Sequence, residues 1–563
     1  MANAQISPFE KNKGLTATYQ ELIDYYQVLD NKYEQMRIFD CGQSDIGKPI
    51  NLIVLSGDKI FDPIEIRKQN KRILLINNGI HPGEPEGIDA SMMLVRHMLE
   101  KNSIPKNLVI CIIPVYNIDG MLNRGISRVN QNGPESYGFR GNYQNLDLNR
   151  DFIKGDSKNS RVFQKIFNTW QPEVFIDNHT SNGADYQYIM TLIPPQKDKL
   201  NPILSKYLSS RMLPDLYAKM KASNFEMTPY VNSIEETPDS GITGFLETAR
   251  YSTGYAALHN TIGFMPETHM LKPYHQRVDG TYKFMEHVIE IVTRDADLIS
   301  KNKQIADADV RVQVLFPLQW TLDDKSFSLL SFRGYEAKYK TSELSGLPRL
   351  YYDQNEPYEK DIRVFDHYLP SEIVKKPLAY IIPQSWQKVI DLMLLNNVNM
   401  KRLSTDIEIE SEMYYIDDYK TVNKPFEGHY LHSQVKLRTE NQRMKYYKGD
   451  YIIYTDQTRN RYIVETLEPQ GVDSFFAWNF FDSVLGQKEH FSDYVFEDEA
   501  ARILKQNPEI LAKFEDDKKN NPGLFQSPSS QLDWVYRNSK YYERTHLRYP
   551  VGRMIRPAKI ELN

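Results

Sequence analysis

Four short apolar runs, Asn51–Leu55, Ile73–Asn77, Leu108–Val115 and Val174–Ile176, are separated by stretches such as Ile88–Leu99 and Arg161–Thr169 whose apolar residues recur at helical spacing. A strand that is apolar on both faces must be covered on both, which is what helices crossing over a parallel sheet accomplish. The pattern therefore predicts an α/β fold with a mixed, mostly parallel central sheet flanked by helices.

A chain of 563 residues exceeds what one hydrophobic core usually organises. The helix-like stretch Gly280–Ile299 is followed by the polar segment Ser300–Asp309 and then by a region rich in Tyr and Phe, so a boundary is expected there, dividing a first domain (1–300) from a C-terminal α+β region (301–563), possibly of two subdomains. Within the latter, Leu378–Leu403 reads strand, helix, strand, Val435–Leu467 suggests antiparallel strands, and the chain from Ser474 onward reads as mainly helical. The aromatic cluster Phe475–Phe481 has the density of a core helix rather than of a ligand platform.

Several function classes are set aside by composition. A net charge of -5 with both signs interspersed offers no extended positive field for nucleic acid. The two cysteines, Cys41 and Cys111, cannot build a disulfide framework or a cysteine metal site. No stretch reaches the ~20 apolar residues of a membrane span. The start, MANAQISPFEKNKG, lacks the apolar core of a signal peptide, so the protein is expected either in the cytosol or after removal of a leader.

A catalytic zinc takes three protein ligands from His, Glu and Asp and keeps a fourth position open. The first two candidates, His81 and Glu84, lie in Asn77-Asn78-Gly79-Ile80-His81-Pro82-Gly83-Glu84, where an apolar strand hands over to a helix. Pro82 and Gly83 bend the chain there, so a turn and not a helix face aims the pair. The same spacing recurs at His287 and Glu290 within a helical stretch, where a surface or core role is the default. The third candidate, His179, ends the run Val174-Phe175-Ile176-Asp177-Asn178-His179-Thr180, at a strand end where functional groups of α/β sheets collect.

Between and after these ligands stand Asn117-Ile118-Asp119-Gly120, Asp147-Leu148-Asn149-Arg150-Asp151-Phe152 and, following the apolar run Ile262–Met265, Pro266-Glu267-Thr268-His269. In order and context, residues 45–290 resemble the carboxypeptidase A-like family of zinc metallocarboxypeptidases, and the longer chain is similar to its large bacterial members with extra C-terminal regions. The resemblance implies one Zn2+ ion on His81, Glu84 and His179. It implies that Asn149 and Arg150 bind the substrate's terminal carboxylate, for which a guanidinium is well shaped, and that Asp147 orients the first histidine. Arg140 is the position most similar to the arginine that polarises the scissile carbonyl, with Arg128 competing for it. Glu267 is similar to the catalytic base. Tyr255, with Tyr251 behind it, is nearest to the family's substrate-facing tyrosine, although it precedes Glu267 by twelve positions, a shorter interval than the family's.

The reaction so implied is zinc-dependent hydrolysis of a peptide or amide bond next to a free carboxylate, foremost removal of a C-terminal residue. A cell-wall peptide amidase, an acyl-amino-acid hydrolase and a catalytically silent peptide- or glycan-binding protein are the alternatives. The expected partner is a peptide or small amide with a free carboxylate, and the resemblance leans the location towards periplasmic or secreted.

Overall fold

The computed structural model describes residues 6–562, so the first five positions of the N-terminal stretch read above for a leader lie outside the described residues. Among the described residues ten strands precede residue 270: Met36–Gln43 (β1), Pro49–Leu55 (β2), Arg72–Asn77 (β3), Leu108–Ile113 (β4), Val174–Asp177 (β5), His179–Ser181 (β6), Met190–Ile193 (β7), Met227–Pro229 (β8), Ile242–Thr243 (β9) and Ile262–His269 (β10). The central sheet runs β1-β2-β4-β3-β5-β10-β7-β8, with β6 also paired to β10. Its middle, β4-β3-β5-β10, is parallel, and antiparallel pairs flank it at β1–β2, β2–β4 and β10–β7. Every residue of β3, β4, β5 and β10 is buried. That is why these runs are continuously apolar instead of alternating.

The four expected strands are present with ends shifted by at most two residues, and the expected helices extend to Glu86–Glu100 and Lys158–Trp170. Adjacent parallel strands aim their C-terminal ends at one edge, so the loops after β3 and β5 and the end of β10 meet there. Two side-chain bonds tie the strand ends together: Asn77 Nδ2 donates to Asp177 Oδ1 at 2.9 Å, and Asn178 Nδ2 to Asn78 Oδ1 at 2.8 Å.

The expected boundary is not a linker. Ser300–Asp309 lies inside helix Ala296–Val312, which buries Ile299, Asn302, Ala306 and Val310 on one side. Lys301, Gln304, Asp309 and Arg311 form the outer face of an amphipathic helix, which composition alone cannot tell from a loop. A single core cluster continues across this helix, from Ile73 and Phe175 to Tyr380, Leu392, Tyr462 and Trp478.

The C-terminal half does combine sheets and helices. A long hairpin, Ser328–Thr341 with Pro348–Phe365, pairs in parallel with β9. A six-stranded sheet contains Ala379–Ile382, the pair Ile407–Thr421 and His432–Tyr446, and Gly552–Met554. The expected strand-helix-strand appears as Ala379–Ile382, Gln387–Leu395 and Lys401–Arg402. The end of the expected antiparallel region, Asn460–Leu467, is a helix instead. Three helices between Asp493 and Arg537 enclose a small core of their own around Phe496, Phe514 and Tyr536. Phe475–Phe481 is largely buried, as expected of core, but runs through turns and not a helix, with Asn479 at a left-handed φ of 64°.

Among the described residues no helix is long and apolar enough to cross a membrane.

Candidate metal centre and active site

His81 and Glu84 lie on the turn between β3 and helix Glu86–Glu100, and the backbone N–H of Glu84 donates to the carbonyl of His81 at 2.8 Å, closing it. His179 opens β6, where the register sets it opposite Glu267 of β10. His81, Glu84 and His179 each offer one ligand atom within 4.8 Å of the others, and all three are buried; among the described residues they form the one such cluster.

Both imidazoles turn Nδ1 inward. Nδ1 of His81 is 3.2 Å from Glu84 Oε1, and Nδ1 of His179 is 3.1 Å from Glu84 Oε2. Both turn Nε2 outward onto a carboxylate: His81 to Asp147 Oδ1 at 2.8 Å, His179 to Asp177 Oδ2 at 3.0 Å. A carboxylate that accepts the Nε2–H fixes the tautomer and leaves the Nδ1 lone pair free, which is the arrangement of a metal-ligating histidine. The Nδ1 atom of His81 is buried with no hydrogen-bond partner. Two nitrogens and one carboxylate oxygen, one of the nitrogens orphaned, fit a zinc ion with three protein ligands.

The electrostatics agree. Burial would raise the Glu84 carboxyl, but the His81 and Arg128 charges and the imidazole hydrogen bonds hold it well below the usual range. Burial would depress His179, but Asp177 and Glu84 raise it well above. A site that holds a proton this firmly between carboxylates favours a divalent cation in its place. Burial pushes Glu267 up to about 8, with Glu84 adding to the rise while His179, Arg128 and Arg140 oppose it.

These groups line a cavity of about 220 Å³, together with Arg128, Arg140, Asn149, Arg150 and Tyr251. Arg140 clamps Asp147 Oδ2 through Nε at 3.0 Å and Nη2 at 2.8 Å, with Nη1 3.4 Å from Glu84. Arg128 places Nη1 2.7 Å from Glu84 Oε1 and donates from Nη2 to the Thr180 carbonyl at 3.0 Å. Asn149 accepts from the backbone N–H of Ser252 at 3.1 Å, and the Arg150 guanidinium lies over the Tyr251 ring at 4.5 Å.

Tyr255 is not brought to the site. It is fully buried, its hydroxyl accepting from Asn168 Nδ2 at 2.9 Å and donating to Asn396 Oδ1 at 2.6 Å. Helix Ser252–Leu258 turns it into the core behind β5 and β10, and Tyr251, just before the helix, faces the cavity instead. Sequence reasoning also missed Asp177 and Tyr230. Asp177 had a signal, since a strand residue two before His179 shares its face; Tyr230, on the loop after β8, had none. His287 and Glu290 lie together on a helix, away from the cavity, with His287 bonded to Ser223.

A second cavity, about 470 Å³, adjoins the first through Ile193, Tyr230 and Phe245. Its other walls are mainly apolar, including Leu192, Leu213 and Ile242, with Leu330 and Val364 from the C-terminal hairpin.

Residues 22–197 match the family described as Zinc carboxypeptidase. Carboxypeptidase 2 of Trichophyton equinum is 21% identical over 77% of this chain and 78% of its own length, and its counterpart from Trichophyton rubrum is 20% identical over the same shares. Among solved structures, a metallo-carboxypeptidase from Burkholderia cenocepacia is 13% identical with a TM-score of 0.37, covering 50% of this chain and 70% of that one. The carboxypeptidase A from Helicoverpa armigera is 14% identical with a TM-score of 0.37, over 50% and 74%. With the His-Glu-His cluster inside it, the segment 22–197 is similar to a zinc carboxypeptidase domain, and the chain that carries it is a peptide-hydrolysing enzyme.

Proposed function

We propose that the protein removes the C-terminal residue from peptides, with one Zn2+ on His81 Nδ1, Glu84 and His179 Nδ1. The observation that carries this reading is that the three ligands, Glu267 and the Asn149–Arg150 pair border one small cavity. Bound zinc supplies a Lewis acid that polarises a carbonyl and lowers the pKa of water.

The chain's own residues do the rest. Arg150, stacked on Tyr251, takes the terminal carboxylate through parallel N–H donors, and Asn149 lies beside it. A substrate without that carboxylate forgoes this pairing and leaves Arg150 with only the Asn149 carbonyl and the more distant Asp147. Glu267 accepts a proton from the attacking water and returns it to the departing amine, a task suited to a carboxyl raised into the neutral range. Arg140 has two of its nitrogens committed to Asp147, whereas Arg128, held by the Thr180 carbonyl through Nη2, meets a carboxylate only at Glu84, from which a cation held there would release its Nη1. Arg128 therefore steadies the oxyanion and Arg140 holds Asp147 in place. The adjoining apolar cavity favours substrates with a large apolar side chain near the scissile bond.

The test compares the parent with Glu267→Gln on a peptide mixture, with zinc counted in both. Zinc in both and turnover only in the parent is expected, with amidated peptides resistant. Equal cleavage of amidated and free peptides would overturn the C-terminal reading.

A further inference from the structure

The loop carrying Asp147, Asn149 and Arg150 is not held by the N-terminal half alone. Beyond their last paired residues, Thr421 and His432, the strands Ile407–Thr421 and His432–Tyr446 continue into a strap that crosses to this loop. Phe426 and His429 close its tip with reciprocal backbone bonds of 2.7 and 3.1 Å. The two tip residues, Glu427 and Gly428, have φ of 50° and 81°, the left-handed pair of a type I′ turn. Asn, Asp and Gly suit the first of these positions, and a glutamate there carries a backbone penalty that calls for a compensating contact.

That contact is with the metal site. The Asp147 backbone N–H donates to Glu427 Oε2 at 2.8 Å, and the same Asp147 accepts from His81 Nε2 at 2.8 Å and from the Asn149 backbone N–H at 2.9 Å. The strap is anchored on both sides of Glu427: His429 Nε2 meets Asp156 Oδ2 at 2.7 Å, and the Phe426 ring stacks on buried Trp478 at 6.2 Å. Glu427 is thus flanked by anchors outside residues 147–150, one on Asp156 further along the same connection and one on Trp478.

We infer that Glu427 is a positioning residue of the metal centre: by holding the Asp147 backbone it sets the carboxylate that orients His81, and with it the Asn149–Arg150 pair. The inference rests on the zinc-peptidase reading and adds to it a residue from the C-terminal half. An outer partner of a ligating histidine typically controls metal affinity by 10–100-fold, and a residue one bond further out is expected at the lower end, about tenfold.

The experiment uses the full-length protein in three variants. Glu427→Ala removes the acceptor. Glu427→Asp keeps the charge and suits the turn but is one methylene short. Glu427→Gln keeps an acceptor oxygen at full reach. Zinc affinity is measured by competition with a chelator, and protection of the Asp147 amide by hydrogen exchange in the metal-free protein. Glu427→Gln should match the parent within about twofold, while Glu427→Ala and Glu427→Asp should lose about tenfold in zinc affinity and exchange the Asp147 amide faster. Parent-like zinc affinity in Glu427→Asp, which the turn tolerates even if Glu427→Ala misfolds, would overturn the inference. A parent that takes up no zinc would sink the metalloenzyme reading itself, a result distinguishable from loss of affinity in the variants alone.

Discussion

Asp177 shows how much of a metal centre lies one bond behind its ligands. It bonds His179 Nε2 and is itself held by Asn77. Asp177→Asn should weaken zinc binding by about 10–100-fold at constant fold, read by chelator competition. Glu267, as the proposed base, sets the pH response expected of the enzyme. Its base form is the carboxylate, so kcat/KM should fall as pH drops through its pKa; burial places that at about 8 in the metal-free chain, and a cation alongside draws it lower. An acid limb between the ordinary glutamate value and about 8 is the expected profile, and a flat profile across that range would contradict Glu267 as base. Tyr255→Phe should cost about 1–3 kcal/mol, because Asn168 and Asn396 lose a buried partner, yet leave KM unchanged. The ligands were legible because strand ends and a Pro-Gly turn mark them. Tyr255 was not, because of two tyrosines four positions apart it is the one inside a short helix, which turns it into the core, while Tyr251 stands just before that helix.

Between elements, helix Glu86–Glu100 meets helix Tyr274–Arg294 at a buried carboxyl. Asp89 bonds Tyr274 and the backbone N–H of Ala17, yet burial still raises it from 3.8 to about 6. A raised carboxyl stabilises the fold while protonated, fully below 3.8, and that contribution is lost as pH rises through about 6. Across this window the loss amounts to about 3 kcal/mol. Asp89→Asn should remove that part of the pH dependence, so chemical unfolding from pH 4 to pH 7 would separate variant from parent. At this scale the sheet was readable, since strands buried on both faces have no polar alternation to obscure them. The helix Ala296–Val312 was not, because a one-sided helix and a linker share a polar composition. Nor were the turns of Phe475–Phe481, where aromatic density reports burial and says nothing of backbone shape.

The two halves share one large core, beside which lie a helical satellite and two smaller clusters on the C-terminal sheets. Asn396 of the C-terminal half bonds Gln164, Asn168 and Tyr255 of the first, and Asp473 pairs with Arg250 at 2.7 Å. A fragment ending at residue 312 would expose this interface. It should lack a cooperative melt and elute as aggregate, and a monomeric, zinc-binding fragment would contradict the shared core. None of this was legible beforehand, because contacts between positions 141 to 232 apart leave no periodicity in the sequence. The pairing of Arg250 with Asp473 also has a meaning in time. A ribosome releases both histidines and both glutamates of the centre long before Asp473 emerges, so a nascent chain holds its cutting groups without the frame that aligns them. On the shared core, the segment around Arg250 waits for residue 473 before it gains its buried counter-charge.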